Sequence, residues 1–130
     1  IISKYLADNK ITAQQDSSGL RYVIHTSNGG AKPTPQNCVE VNYKGAFLKD
    51  GQIFDQSEKL AFPLERVIVG WQRAIPLLGI GDSATFYIPS GLAYGPEGAQ
   101  GVIPPDAILI FDVALLGIGT GYDQATGNCN

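Results

Sequence analysis

Polar and apolar residues alternate with a period of two along several stretches of this chain, and recur at helical spacing along only two. The clearest alternation begins at Cys38. Val39, Val41, Tyr43, Gly45 and Phe47 fall on one face, and Glu40, Asn42, Lys44 and Leu48 on the other. Period two with one polar face predicts an antiparallel sheet packed on one side only. Lys49-Asp50-Gly51 predicts a hairpin turn, after which residues 52–55 return. Residues 20–27 alternate after the turn signal Asp16-Ser17-Ser18-Gly19. Ala84, Phe86 and Ile88 alternate with Thr85 and Tyr87, and a final strand spans 108–118 with Leu109, Phe111, Val113 and Leu115 on one face. Residues 11–15 form a weaker strand candidate, and 89–106 read as a long Gly/Pro loop.

Val67, Trp71, Ala74, Ile75 and Leu78 stand at helical spacing. Pro76 lacks a backbone donor, so this short helix is expected to end or distort there. Ile1, Ile2, Tyr5 and Leu6 share the spacing and read as the tail of a longer helix. Five or six antiparallel strands and one internal helix make an α+β domain, with the helix carrying Trp71 as the cover of the apolar face. The expected organisation is a helix remnant and connecting strand over 1–18, the domain over 19–118, and a polar, frayed tail over 119–130.

Composition narrows the chemistry. Nine Lys and Arg against 12 Asp and Glu leave a net charge of −3, without the basic footprint of a nucleic-acid binder. No 18-residue apolar window exists, so no transmembrane segment is expected. The chain starts at Ile1 and contains no Met, so the natural start is expected upstream. A single histidine, His25, excludes a metal site built from several His ligands, and it reads as a strand-surface imidazole. Cys38 and Cys129 are expected to be free thiols, because spacing alone does not pair them. Gly79-x-Gly81 and Gly119-x-Gly121 are too short for a phosphate fingerprint. Asp55 and Asp112 make a weak acid pair, since Asp112 faces away from Phe111. Residue type alone leaves open whether the large apolar residues fill a core or line a pocket.

Several motifs in fixed order decide more. Val41-Asn42-Tyr43-Lys44-Gly45, Asp50-Gly51-Gln52-Ile53-Phe54-Asp55, Val67-Ile68-Val69-Gly70-Trp71, Leu92-Ala93-Tyr94-Gly95, and Ile103-Pro104-Pro105 through Leu109-Ile110-Phe111-Asp112-Val113 together resemble the FKBP-type peptidyl-prolyl cis-trans isomerases. The run from Ile88 to Pro96 resembles the bacterial macrophage-infectivity-potentiator branch.

The resemblance implies a five- or six-stranded antiparallel sheet wrapped around one short helix. It implies a pocket floored by Trp71 and walled by Tyr43, Phe54, Asp55, Val67, Ile68 and Phe111, with Tyr94, Val102 and Ile103 closing it. A wall position that is often aromatic in the family falls on Leu60, with Phe62 as competitor, and Ala99 stands where some members have histidine. The implied activity is X–Pro isomerisation in protein chains, assisting folding, with no cofactor. The alternative is a proline-binding chaperone or docking module with little turnover. Proline-containing polypeptides and macrolide inhibitors are the implied ligands. A homodimer through an upstream N-terminal arm and export to the bacterial periplasm or envelope are also implied, with the cytoplasm as the alternative location.

Overall fold

The computed structural model describes residues 2–16, 19–95, 97–99, 103–123 and 125–129. Helix α1 (Ile2–Asp8) precedes strands β1 (Gln14–Gln15), β2 (Arg21–Thr26), β3 (Cys38–Phe47) and β4 (Ile53–Pro63). Helix α2 (Val69–Ala74) follows, then β5 (Ser83–Ile88), β6 (Leu109–Gly119), β7 (Tyr122–Asp123) and β8 (Asn128–Cys129). Six strands form one sheet in the order β1-β2-β5-β6-β3-β4, every neighbour antiparallel. The expected α+β architecture is therefore present.

The inner face carries the main core. Val39 and Val41 of β3, Phe86 and Ile88 of β5, and Leu109, Phe111, Val113 and Leu115 of β6 are buried against Trp71, Ala74, Ile75 and Leu78 of the helical segment. Pro76 acts as expected: the α-helix stops at Ala74 and a 3₁₀ turn, Ile75–Leu77, completes the segment. Gly70 permits close approach, because a Cβ there would lie 2.6 Å from Ile88 Cγ2.

Three expectations need correction. The sheet is not bare on its outer side. Ile2 and Leu6 of α1 are buried there with Leu48 and Tyr87, and Tyr5, Ile108 and Ile110 pack around them. The helix ends in a Schellman arrangement: Lys10 has φ 56°, and the N–H groups of Lys10 and Ile11 donate to Ala7 and Leu6 carbonyls. Second, the cysteines are not free thiols: Cys38 and Cys129 form a disulfide. Third, the segment after Gly119 is not merely frayed, since β7 and β8 pair as a small hairpin. One register explains both of the last two points. Cys38 lies opposite Gly119 in the β3–β6 ladder, so the chain leaves β6 beside Cys38 and needs only a short reversal to return Cys129 to it.

Strand β4 is longer than its residues 52–55 foretell. At its middle, one residue of β3, Asn42, faces two of β4 between the Val41–Leu60 and Tyr43–Ser57 pairs. Lys59 takes a left-handed φ of 52° in this bulge, and its N–H donates to Asn42 Oδ1 at 2.8 Å. The polar run 55–59 thus stays in the sheet as an edge strand.

Candidate active site

A second bulge builds the site. Gly45 pairs with Asp55 and Ala46 with Ile53, so Phe54 is the extra residue on β4. Consecutive strand residues normally point to opposite faces. The bulge breaks that rule, and Phe54 and Asp55 both border the same cavity.

Trp71, buried at 6% exposure, is the floor. The rings of Tyr43 and Phe111 stand edge-on to it, each with centroids 5.1 Å away, and Phe62 leans on it at 5.3 Å. Phe54 meets Phe111 edge-on at 5.7 Å and stacks on Phe47 at 4.8 Å. Such pairs contribute about 0.5–1.5 kcal/mol each beyond the area they bury, and here they fix the walls of a hollow. Its volume is about 370 Å³, and Leu60, Arg66, Val67, Ile68 and Tyr94 complete the lining with Tyr43, Phe54, Asp55, Phe62, Trp71 and Phe111. The wall position divides between Leu60, exposed at the rim, and Phe62, buried against the indole. Ile103 belongs to the core and exchanges backbone hydrogen bonds with Ala99, and it does not border the cavity. Val102 lies outside the described residues.

Few polar groups face this hollow. Tyr43 donates its hydroxyl to Asp55 Oδ2 at 2.6 Å. Burial, then the hydrogen bond to Asp55 and that carboxylate's charge, push the Tyr43 phenol well above the ordinary tyrosine range, with a smaller push from Tyr94. The contribution of this hydrogen bond to stability is therefore complete below about pH 10 and lost as pH rises through the raised value. In an ultraviolet titration, the difference between the protein and its Tyr43→Phe variant should show one phenol ionising later than ordinary tyrosines. A difference step at about pH 10 would contradict the burial and bonding described. The Ile68 N–H, at the N-cap of α2, and the Tyr94 hydroxyl have no hydrogen-bond partner among the described residues.

Arg66 and Phe62 are the lining residues that motif matching underweights. Phe62 announces itself only by its ring, and nothing in the pattern separates Arg66 from any exposed arginine.

The outer face of the sheet carries a larger, shallow trough of about 790 Å³ with polar walls, including His25, Asn42, Lys44, Glu58 and Asp112. His25 Nε2 lies 2.7 Å from Thr85 Oγ1, and Thr85 donates to Asp112 Oδ1 at 2.6 Å. The one hydroxyl proton goes to Asp112, so His25 must donate to Thr85. That polarity is the reverse of a histidine accepting a nucleophile's proton.

An aromatic hollow in an antiparallel sheet wrapped round a short helix agrees with the motifs. The profile of a family described as FKBP-type peptidyl-prolyl cis-trans isomerase matches residues 29–116. The chain belongs to this family. It is 46% identical over 107 residues to the probable FKBP-type peptidyl-prolyl cis-trans isomerase FkpA of Neisseria meningitidis, covering 79% of this chain and 39% of that protein. It is 38% identical over 105 residues to the outer membrane protein MIP of Legionella longbeachae, covering 78% of this chain and 45% of that one. A crystal structure of a peptidyl-prolyl cis-trans isomerase from Pseudomonas syringae superposes with a TM-score of 0.81 at 34% identity, covering 89% of each chain. The chain spans less than half the length of these two curated relatives.

Proposed function

We propose that this FKBP domain accelerates cis–trans isomerisation of X–Pro bonds in polypeptide chains by holding the proline in the cavity over Trp71. The observation that carries the reading is the cage itself: Tyr43, Phe62 and Phe111 packed on one indole, with Phe54 and Tyr94 completing the aromatic lining and few polar groups. Rotation about the peptide bond must break amide resonance, against a barrier of about 18–20 kcal/mol. Water stabilises the planar, polar ground state more than the twisted transition state. A hollow that strips water from the imide therefore favours the twisted form. A gain of about 10⁵ in rate corresponds to only about 7 kcal/mol. No bond to the substrate forms, so the reaction asks for no nucleophile.

In this reading Tyr43, Phe54, Phe62, Val67, Trp71 and Phe111 enclose the ring of the proline, with Leu60 at the rim. The Ile68 N–H and the Tyr94 hydroxyl donate to substrate carbonyls. Asp55 holds Tyr43 in place and presents a fixed dipole rather than a proton. Residues 19–118 form the catalytic unit, and a macrolide that occupies the hollow competes with peptide. The reading includes export to the bacterial envelope. The disulfide supports this, since disulfides persist in oxidising compartments, and one relative is named an outer membrane protein. It also includes dimerisation through a segment upstream of Ile1, which sedimentation of the full-length protein reads directly.

Exchange NMR on a short Leu–Pro peptide, with no coupling protease, tests the activity. Substoichiometric protein should speed exchange between the cis and trans signals. Saturable binding without faster exchange would replace the isomerase by a binding module.

A further inference from the structure

Among the described residues that line the cavity over Trp71, Arg66 is the one cationic side chain. Arg66 closes the 3₁₀ turn Leu64–Arg66, directly before Val67 and Ile68. This stretch is held from below. The Gln72 side-chain amide donates to the Val67 carbonyl at 2.8 Å and to the Glu65 carbonyl at 3.3 Å. The Arg66 guanidinium itself has no hydrogen bond or ion pair among the described residues. Asp55, the one carboxylate among the described lining residues, already accepts the Tyr43 hydroxyl. An unpaired guanidinium thus stands on a held backbone at the edge of an apolar pocket, in a chain whose net charge is negative.

We propose that Arg66 is a specificity residue that selects prolines adjoined by a carboxylate side chain, Glu or Asp. The proposal rests on the cavity reading above. A guanidinium offers a planar fork of donors that a carboxylate matches with two hydrogen bonds. The pairing adds nothing to bond rotation itself, so its effect belongs in KM rather than kcat. Because Arg66 is exposed, the gain is limited by solvent screening to about two- to fivefold. Salt should erode it.

Four peptides that differ only in the residue before proline (Glu, Gln, Lys, Leu), and a second set varied after it, decide the matter by NMR. Each titration yields both a dissociation constant and an exchange rate. For the unmodified protein, Glu should exceed its neutral isostere Gln in binding and in kcat/KM in one of the two sets. In Arg66→Gln that ratio should fall to one, and in Arg66→Glu the preference should pass to Lys. Equal values for Glu and Gln in both sets, or a Glu preference that survives Arg66→Gln, overturns the proposal. If the Glu preference appears in binding but no peptide isomerises faster, the isomerase reading fails while the role of Arg66 stands. If Leu–Pro isomerises faster and no charge preference appears, the reverse holds.

Discussion

Gly45→Val should lower kcat/KM for an X–Pro peptide by at least about tenfold, equivalent to about 1.4 kcal/mol, while leaving a folded protein. Gly45 lies between Asp55 on β4 and Phe111 on β6. A Cβ at this position would stand 2.6 Å from Phe111 Cε1 and 2.8 Å from Phe54 Cζ. Neither ring can swing freely, because Phe54 is stacked on Phe47 and Phe111 is wedged against Trp71. The added side chain must therefore displace two walls of the cavity from the positions that shape it. Overpacking of this kind costs about 1–3 kcal/mol of stability, so the rates are compared well below the unfolding transition. Gly117→Ala is the control, since nothing lies within 4 Å of a Cβ there. It should keep most of the activity. Equal rates in Gly45→Val and the unmodified protein would mean that the hollow does not hold the substrate.

Removal of the disulfide should produce the largest loss of stability. Cys38 and Cys129 are 91 positions apart, so the bond closes almost the whole domain into one loop. In the chain-entropy account a loop of this length contributes nearly 5 kcal/mol, and native disulfides in small domains typically contribute about 2–5 kcal/mol. Cys38 is buried at the start of β3, whereas Cys129 is half-buried in a strand of only two residues. Without the bond, the β7–β8 hairpin keeps only its short ladder and its packing on β3 and β4. The Cys38→Ala/Cys129→Ala protein should therefore melt roughly 10 °C lower, and the unmodified protein in reducing buffer should behave like it. A melting temperature that moves by only a degree or two would show that the link is incidental.

Legibility in the sequence followed the strength of local pattern. The alternation Val39-Val41-Tyr43-Gly45-Phe47 foretells both the strand and its inward face, because a half-buried strand leaves no other reading. Pro76 marks the end of the helix by stereochemistry alone. The cavity walls were read from ordered motifs rather than periodicity, since a core ring and a pocket ring are the same residue type. What stayed hidden depends on register. The extension of β4 beyond Asp55 is not legible, because residues 55–59 are uniformly polar and carry no alternation. The second bulge, which brings Phe54 and Asp55 to one side, leaves no compositional trace. The disulfide needs Cys38 opposite Gly119, a neighbourhood that sequence distance conceals. The cover supplied by α1 is not legible because the outward face is judged by its polar members, Lys44, Thr85 and Asp112, whereas Leu48, Tyr87 and Ile110 gather into an apolar patch only once the strands are in register.

The catalytic rate of X–Pro exchange in ordinary and in heavy water is the sharpest single test of the proposed mechanism. Bond rotation eased by a dry aromatic hollow moves no proton, so the protein should accelerate exchange in both solvents with a rate ratio close to one. No acceleration in either solvent, or a large normal isotope effect signalling proton transfer in the limiting step, would contradict it.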